Sequence, residues 1–277
     1  CVVPYTRGPE YSRSSSEILS EAKQLVDNGS KEIILLGQNV SAYKSKNQRL
    51  SDLLYSLSQI KSLERIRYTT SHPKDFTEDL VQAHVECKKL MPLLHLPVQS
   101  GSTKILRNMN RNHTIEEYLK IIKTLKEKKP SIKFSSDFII AYPGETKDDF
   151  KKTVSLMEKV KFINSYSFIF SARPGTPAAN LKKIDDKIAR ERLRIFQLSA
   201  TEIKKKYRKE LVNSNANVLF ENNAKNSNRY FGRDEYFNSV IVNSNENLIG
   251  KIRSVKINSC NQNTLFGEVN LEDTKKV

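Results

Sequence analysis

From residue 14 to about residue 170 the apolar positions keep changing period. Stretches spaced by three and four residues give way to short unbroken apolar runs, the alternation of amphipathic helix with buried strand. Ser14 and Glu17 form a capping box ahead of Ile18, Leu19, Ala22, Leu25 and Val26, one face of a helix that Asn28-Gly29 ends. A strand is predicted at 32–36, a helix at 50–60 and a strand at 65–69. A helix at 77–87 and a strand at 91–96 come next. Thr114 and Glu117 cap a further helix that stops at Lys128-Lys129-Pro130, ahead of a strand at 132–140. A helix at 146–160 and a strand at 162–170 complete the series.

Helices alternating with near-continuous apolar strands predict a parallel sheet with right-handed crossovers. Polar residues recur after every strand rather than at one switch point, so a partial TIM-like α/β barrel fits better than a doubly wound sheet. A long charged helix is expected at 185–209. Beyond it the pattern changes: fifteen of residues 211–277 are Asn, helical spacing disappears, and short runs at 216–220, 240–242, 248–257 and 265–269 alternate with turn residues. That predicts a small antiparallel β-barrel. Residues 1–210 and 211–277 are therefore read as two domains. In the second, Lys251, Arg253 and Lys256 are expected on a basic face.

Charge narrows the class of partner. The chain of 277 residues carries a net charge of +16, and residues 182–210 hold eleven Lys/Arg against five Asp/Glu, whereas 211–277 hold eight against seven. Basic residues concentrated ahead of a small domain point to a polyanion, although a Lys-rich composition alone would also raise the total. Lys204, Lys205, Lys206 and Arg208 are the candidate phosphate contacts. No run of eighteen apolar residues occurs, so no membrane helix is expected. Three scattered cysteines (Cys1, Cys87, Cys260) give no disulfide framework and suggest a reducing cytoplasm and a monomer.

Each predicted strand ends in a polar cluster. These are Gly37-Gln38-Asn39; Thr69 to Pro73, with His72; His95 to Ser102, with Gln99 and Ser100; Asp137 within its strand, followed by Tyr142 to Thr146; and Ser171 to Pro177, with Arg173. Any one of these reads as a βα turn and helix cap. Five in order read as a site at the C-terminal end of the sheet. His72 and His95 are read as local hydrogen-bonding groups, His84 and His113 as surface residues, and Glu145 equally as a first-turn helix stabiliser. The start on Cys1, without Met, reads as a chain cut inside a cofactor loop, with one strand upstream.

The ordered set Cys1 to Gly8, Leu35 to Val40, Thr70 to Pro73, His95 to Ser102, Pro143 to Thr146 and Arg173 to Ala179 resembles the radical S-adenosylmethionine methylthiotransferases. Within them it is most similar to the members acting on tRNA, over nearly the whole chain. The resemblance implies that Cys1 is the third thiolate of a CxxxCxxC loop holding a 4Fe–4S cluster, with S-adenosylmethionine on the open iron. It also implies a second 4Fe–4S cluster in an N-terminal domain absent from this chain. Gln38, Gln99, Ser100, Asp137, Gly144, Glu145 and Arg173 are the candidate cofactor contacts. Arg7, the three lysines, Arg208 and the terminal basic residues are the candidate RNA contacts, the terminal domain resembling a TRAM module. The implied activity is methylthiolation of C2 of N6-dimethylallyladenosine in the tRNA anticodon stem-loop, with an electron donor such as flavodoxin or ferredoxin. A sibling enzyme acting on a ribosomal-protein aspartate or on threonylcarbamoyladenosine, and a binding module without chemistry, remain alternatives. With one of three cluster thiolates present, this chain alone is expected to be inactive. The sequence departs from the family at Ala141, where Gly is usual, and at Ala172, where Pro is usual.

Overall fold

The computed structural model describes residues 6–69, 71–224 and 228–270. Helix α1 (Ser15–Asp27) opens on the expected capping box, with Ser14 N donating to the Glu17 carboxylate at 3.0 Å. There follow β1 (Glu32–Leu35), a small hairpin of β2 (Lys44–Ser45) and β3 (Gln48–Arg49), α2 (Leu50–Ser58), β4 (Arg65–Tyr68) and α3 (Glu78–Glu86). Next come β5 (Leu93–His95), α4 (Thr103–Asn108), α5 (Ile115–Lys128), β6 (Lys133–Ile140), α6 (Lys147–Val160), β7 (Asn164–Ile169) and α7 (Asp186–Glu210).

All pairings in this sheet are parallel: β1 with β4, and β5 with β6 with β7. A bridge between Ile66 and Leu90, with Met91 N donating to Ile66 O at 3.0 Å, joins the two halves in the order β1-β4-β5-β6-β7. The outer edges of β1 and β7 have no ladder partner among the described residues, so the sheet is open. Alternation along β6 separates its two faces. Phe138 stacks on Phe162 and on Phe196 of α7, with centroids 5.5 and 4.7 Å away, in the main apolar core. Ser135 and Asp137 point to the opposite, concave face, where they meet His95.

The terminal domain is a closed five-stranded barrel of β8 (Asn215–Asn223), β9 (Arg229–Arg233), β10 (Ser239–Asn243), β11 (Ile252–Cys260) and β12 (Thr264–Val269), ordered β10-β12-β11-β8-β9. Two expectations need correction. The barrel is not wholly antiparallel, because β10 pairs with β12 in parallel. Nor do Lys251, Arg253 and Lys256 share a face. Val255 and Ile257 fill the barrel core, so Arg253 falls on their side of the strand and Lys256 on the other. Both Lys251 and Arg253 also pair with Glu246, and Lys256 alone of the three is exposed and without an ionic partner among the described residues.

The two domains are joined through two buried arginines of β4. Arg65 donates to the carbonyls of Arg233 and Asn217 at 2.9 and 2.6 Å. Arg67 donates to those of Glu235 and Asp234, both at 2.9 Å, and its guanidinium lies 4.9 Å from the Phe237 ring centroid. Glu32 of β1 is the counter-ion for both, 3.9 Å from Arg65 and 3.1 Å from Arg67. The Arg67 Nε is close to that carboxylate but not aligned for a hydrogen bond. No helix among the described residues is long and apolar enough to cross a membrane.

Candidate active site at the strand ends

The concave face carries a connected polar cluster that rises toward the C-terminal ends of the strands. His95 Nδ1 pairs with Ser135 Oγ at 2.9 Å, and its Nε2 lies 3.5 Å from Asp137 Oδ1. The local hydrogen-bonding role expected for His95 is what the geometry gives. Gln99 follows β5 with φ of 73°, a conformation that costs a non-glycine residue roughly 1–3 kcal/mol. Two backbone bonds impose it: Gln99 N donates to Asp137 O and its carbonyl accepts Ile139 N, each at 2.9 Å. Its side-chain amide makes no hydrogen bond within the described residues and stands available beside Asp137.

Above these sit groups that sequence reasoning missed. Arg111, in the turn before α5, is half-buried; desolvation lowers its pKa, and the charge of Asp137 counters this. His113 is 5% exposed and both of its ring nitrogens lack partners among the described residues. Its ring meets His72 edge-on at 5.4 Å, and burial, then His72 and Arg111, push its pKa down to about 4. Burial also lowers the pKa of His72, whose Nδ1 accepts Lys74 N. Ser71 Oγ is likewise buried and without a partner among the described residues. Asn39 donates to Asp75 at 2.6 Å, tying the loop after β1 to the loop after β4. Gln38 and Arg173 are exposed on loops that follow strands, and Arg7 is exposed near the start of the described residues.

Three of the expected contacts have structural work instead. Ser100 is fully buried; its Oγ accepts Ser102 N and faces Thr153 of α6 at 3.4 Å. Gly101 permits this docking, since a Cβ there would stand 2.5 Å from Lys152 O and Thr153 Cα. Glu145 is buried, accepts Ala141 N at 3.2 Å and Arg192 Nη1 at 2.7 Å, and so anchors the loop after β6 to α7. Gly144 turns that loop at φ of 81°, with open space where its Cβ would be. Arg208 is 5% exposed and directs Nη1 to the Asn261 and Gln262 carbonyls. The surface reading of two histidines also fails. His113 is buried as above, and His84 shares the Leu80, Ala83 and Cys87 face of α3, where Tyr68 OH lies 2.6 Å from its Nε2.

Parallel βα units with polar residues gathered at the strand C-termini define an α/β domain of the kind that enzymes use. The radical SAM superfamily profile matches residues 1–157, and the chain belongs to that superfamily. Over its whole length the chain is 58% identical to the tRNA-2-methylthio-N(6)-dimethylallyladenosine synthase of Pelagibacter ubique (strain HTCC1062), spanning 63% of that protein. Over 96% of its length it is 48% identical to the synthase of the same name from Wolbachia sp. subsp. Brugia malayi (strain TRS), spanning 62% of it. Among solved structures it is similar to the radical S-adenosylmethionine methyltransferase TsrM of Kitasatospora setae, solved with cobalamin and a [4Fe-4S] cluster. That likeness has a TM-score of 0.50 at 13% identity and covers 60% of this chain and 33% of that one, a likeness of fold.

The superfamily's cofactors are S-adenosylmethionine and a 4Fe–4S cluster. The concave cluster suits the first: a desolvated guanidinium, a carboxylate, a free amide and unpaired buried imidazole nitrogens are complementary to a zwitterion with ribose hydroxyls. The second finds no ligand set here. Cys1 lies outside the described residues, and no group of three or more His, Cys, Asp or Glu could hold a metal among the described ones. Cys87 is buried at the end of α3 and Cys260 belongs to the terminal barrel.

Proposed function

We propose that the protein of which this chain is part methylthiolates C2 of N6-dimethylallyladenosine beside the tRNA anticodon. The observation that carries this reading is the 58% identity, over the whole chain, to a synthase of that name. The ordered strand-end residues and the basic composition support it. S-adenosylmethionine, with one electron from a reduced 4Fe–4S cluster, would supply hydrogen-abstraction chemistry. Gln99, Asp137 and Arg111 are the residues proposed to hold S-adenosylmethionine, with Gln38 and Arg173 closing from their loops. Arg111 supplies the positive charge for its carboxylate, and Asp137, aimed by His95, accepts from hydroxyls. Glu145 and Ser100 act as positioning residues by fixing the loops that carry the contacts. Cys1 is the proposed cluster ligand, and the terminal barrel the proposed RNA-binding module of TRAM kind. An electron donor such as flavodoxin or ferredoxin is the proposed redox partner.

The test is nucleoside mass spectrometry of tRNA from a strain lacking the gene. The 2-methylthio group should be lost with the prenyl group retained; intact methylthiolated nucleoside would refute the reading. Loss of the methylthio group from threonylcarbamoyladenosine, or from a ribosomal-protein aspartate, would move the assignment to a sibling activity.

A further inference from the structure

The outer edge of β7 borders a groove that the proposed cofactor site does not use. The groove, about 790 Å³, lies between β7, the C-terminal half of α7 and the β11–β12 turn at Asn261 to Asn263. Lys204, Lys205 and Lys209 line it, and Glu202 is its one acidic lining residue. Glu202 reaches Lys205 at 3.8 Å, which leaves Lys204 and Lys209 without carboxylate partners among the described residues. Arg208 holds the far wall rigid through its bonds to the turn.

Two aromatic rings stand on this edge. Tyr166 and Phe168 are 54% and 61% exposed, although they occur two residues apart on the same side of a strand. Register places them beside Asp137 and Ile139, so they face the concave surface where the cofactor cluster lies. Tyr166 is held there: its ring meets His95 at 6.1 Å, and His95 is fixed by Ser135 and Asp137. Planar apolar faces next to unpaired lysines match the chemistry of an unpaired RNA strand, whose bases stack on aromatics while its phosphates track cations. An acidic peptide would satisfy the lysines but would offer no planar group to the rings.

Resting on the tRNA reading above, we propose that the anticodon loop approaches across the open β7 edge. Its phosphates follow Lys204, Lys205 and Lys209, and unpaired bases stack on Tyr166 and Phe168 as the target adenosine enters the concave face. Lys206, outside the groove, has no part in this track.

The 277-residue chain itself serves for the test, by fluorescence anisotropy with a labelled RNA hairpin of anticodon stem-loop sequence across a salt series. The double variant Tyr166→Ala/Phe168→Ala should weaken binding roughly tenfold or more with the salt slope unchanged. Lys204→Ala/Lys209→Ala should weaken binding and reduce the slope by about 1.4, two single-strand phosphate contacts. Photocrosslinking of 4-thiouridine in the loop to the wild-type chain should label β7. Wild-type affinity in both variants, or labelling confined to the terminal barrel, overturns the groove while leaving the tRNA reading intact. Failure of the wild-type chain to prefer the hairpin over duplex DNA of equal length overturns the RNA reading itself. Competition by a poly-glutamate peptide that the aromatic variant does not relieve would assign the groove to an acidic protein segment instead.

Discussion

Removing Arg67 should undock the terminal barrel without unfolding it. The side chain is 7% exposed, and burial lowers its pKa, with Glu32 opposing. Arg67→Ala deletes two charged-donor hydrogen bonds to adjacent carbonyls, each worth about 1.5–3 kcal/mol, and the contact with the Phe237 ring. It also leaves Glu32, whose side chain is 12% exposed, with only Arg65 at 3.9 Å. Breaking a buried pair from one side costs about 3–5 kcal/mol. A docking loss of ~4 kcal/mol is therefore expected, nearly three orders of magnitude in the docked-to-undocked ratio. Each domain keeps its own apolar core, so urea unfolding followed by circular dichroism should separate into two transitions in the variant. Limited proteolysis should cut near residues 211–214, where α7 ends and β8 begins. Arg67→Lys should fail to rescue, because one ammonium cannot fork to the Asp234 and Glu235 carbonyls as the guanidinium does. A variant that unfolds in one transition within about 0.5 kcal/mol of wild type, or full rescue by Lys, would refute the reasoning.

Ala141→Gly should stabilise the chain by about 0.5–1 kcal/mol in thermal unfolding, since Ala141 sits at φ of 59° where Gly carries no Cβ penalty; a lowered Tm would count against it. Gly101→Ala should destabilise by about 2 kcal/mol or more, because the new methyl meets the α6 backbone rather than a yielding side chain; an unchanged Tm would show that α6 moves freely. Burial lowers the His84 pKa from 6.5 to about 3, so the unfolded chain binds more protons than the folded one between those values. Stability is thus full above pH 6.5 and falls with acidification, by up to about 2 kcal/mol at pH 5; His84→Phe should flatten the slope of urea midpoint against pH, and an unaltered slope would exclude His84 as its source. Iron–sulfide reconstitution of the 277-residue chain should yield neither four irons per chain nor S-adenosylmethionine cleavage, and finding both would overturn the ligand count.

The parts legible in the sequence were those with local causes. Capping boxes at Ser14, Thr114 and Thr146 are closed by residues three positions on, so helix starts could be read directly. Roles fixed by distant partners could not. Ser100 and Glu145 occupy site-like positions, but their partners Thr153 and Arg192 lie 53 and 47 residues away. His84 was readable in principle, since its spacing from Leu80 and Cys87 marks the buried face of α3. Arg65 and Arg67 resemble solvent-facing strand residues because the carbonyls that bury them come from a domain about 150 to 170 residues later. Strand β9 was hidden by Gly232, where a Cβ would stand 2.4 Å from Leu219 O, so the one residue that reads as a breaker is the one that lets the strands close.

Burial also decides what the net charge of +16 means. Arg65 and Arg67 of β4 are buried against the terminal barrel, Arg65 donating to carbonyls of β8 and β9 and Arg67 to those of the loop after β9. Tyr236 OH adds a bond to Ser131 O at 2.9 Å, and Lys133 lies over the Tyr207 ring. Cations spent in this seam, and Arg208 in the β11–β12 turn, cannot meet a polyanion. In a parallel sheet every strand points the same way, so the polar clusters that follow the strands gather at one end. There both nitrogens of His113 and Ser71 Oγ are buried without partners among the described residues. Lys204 and Lys209, without carboxylate partners among the described residues, lie along the β7 edge instead, beside the exposed rings. A ligand needing the Asp137 cluster and a polyanion needing Lys204 and Lys209 therefore meet the molecule from two directions, axial and lateral, that converge on Tyr166.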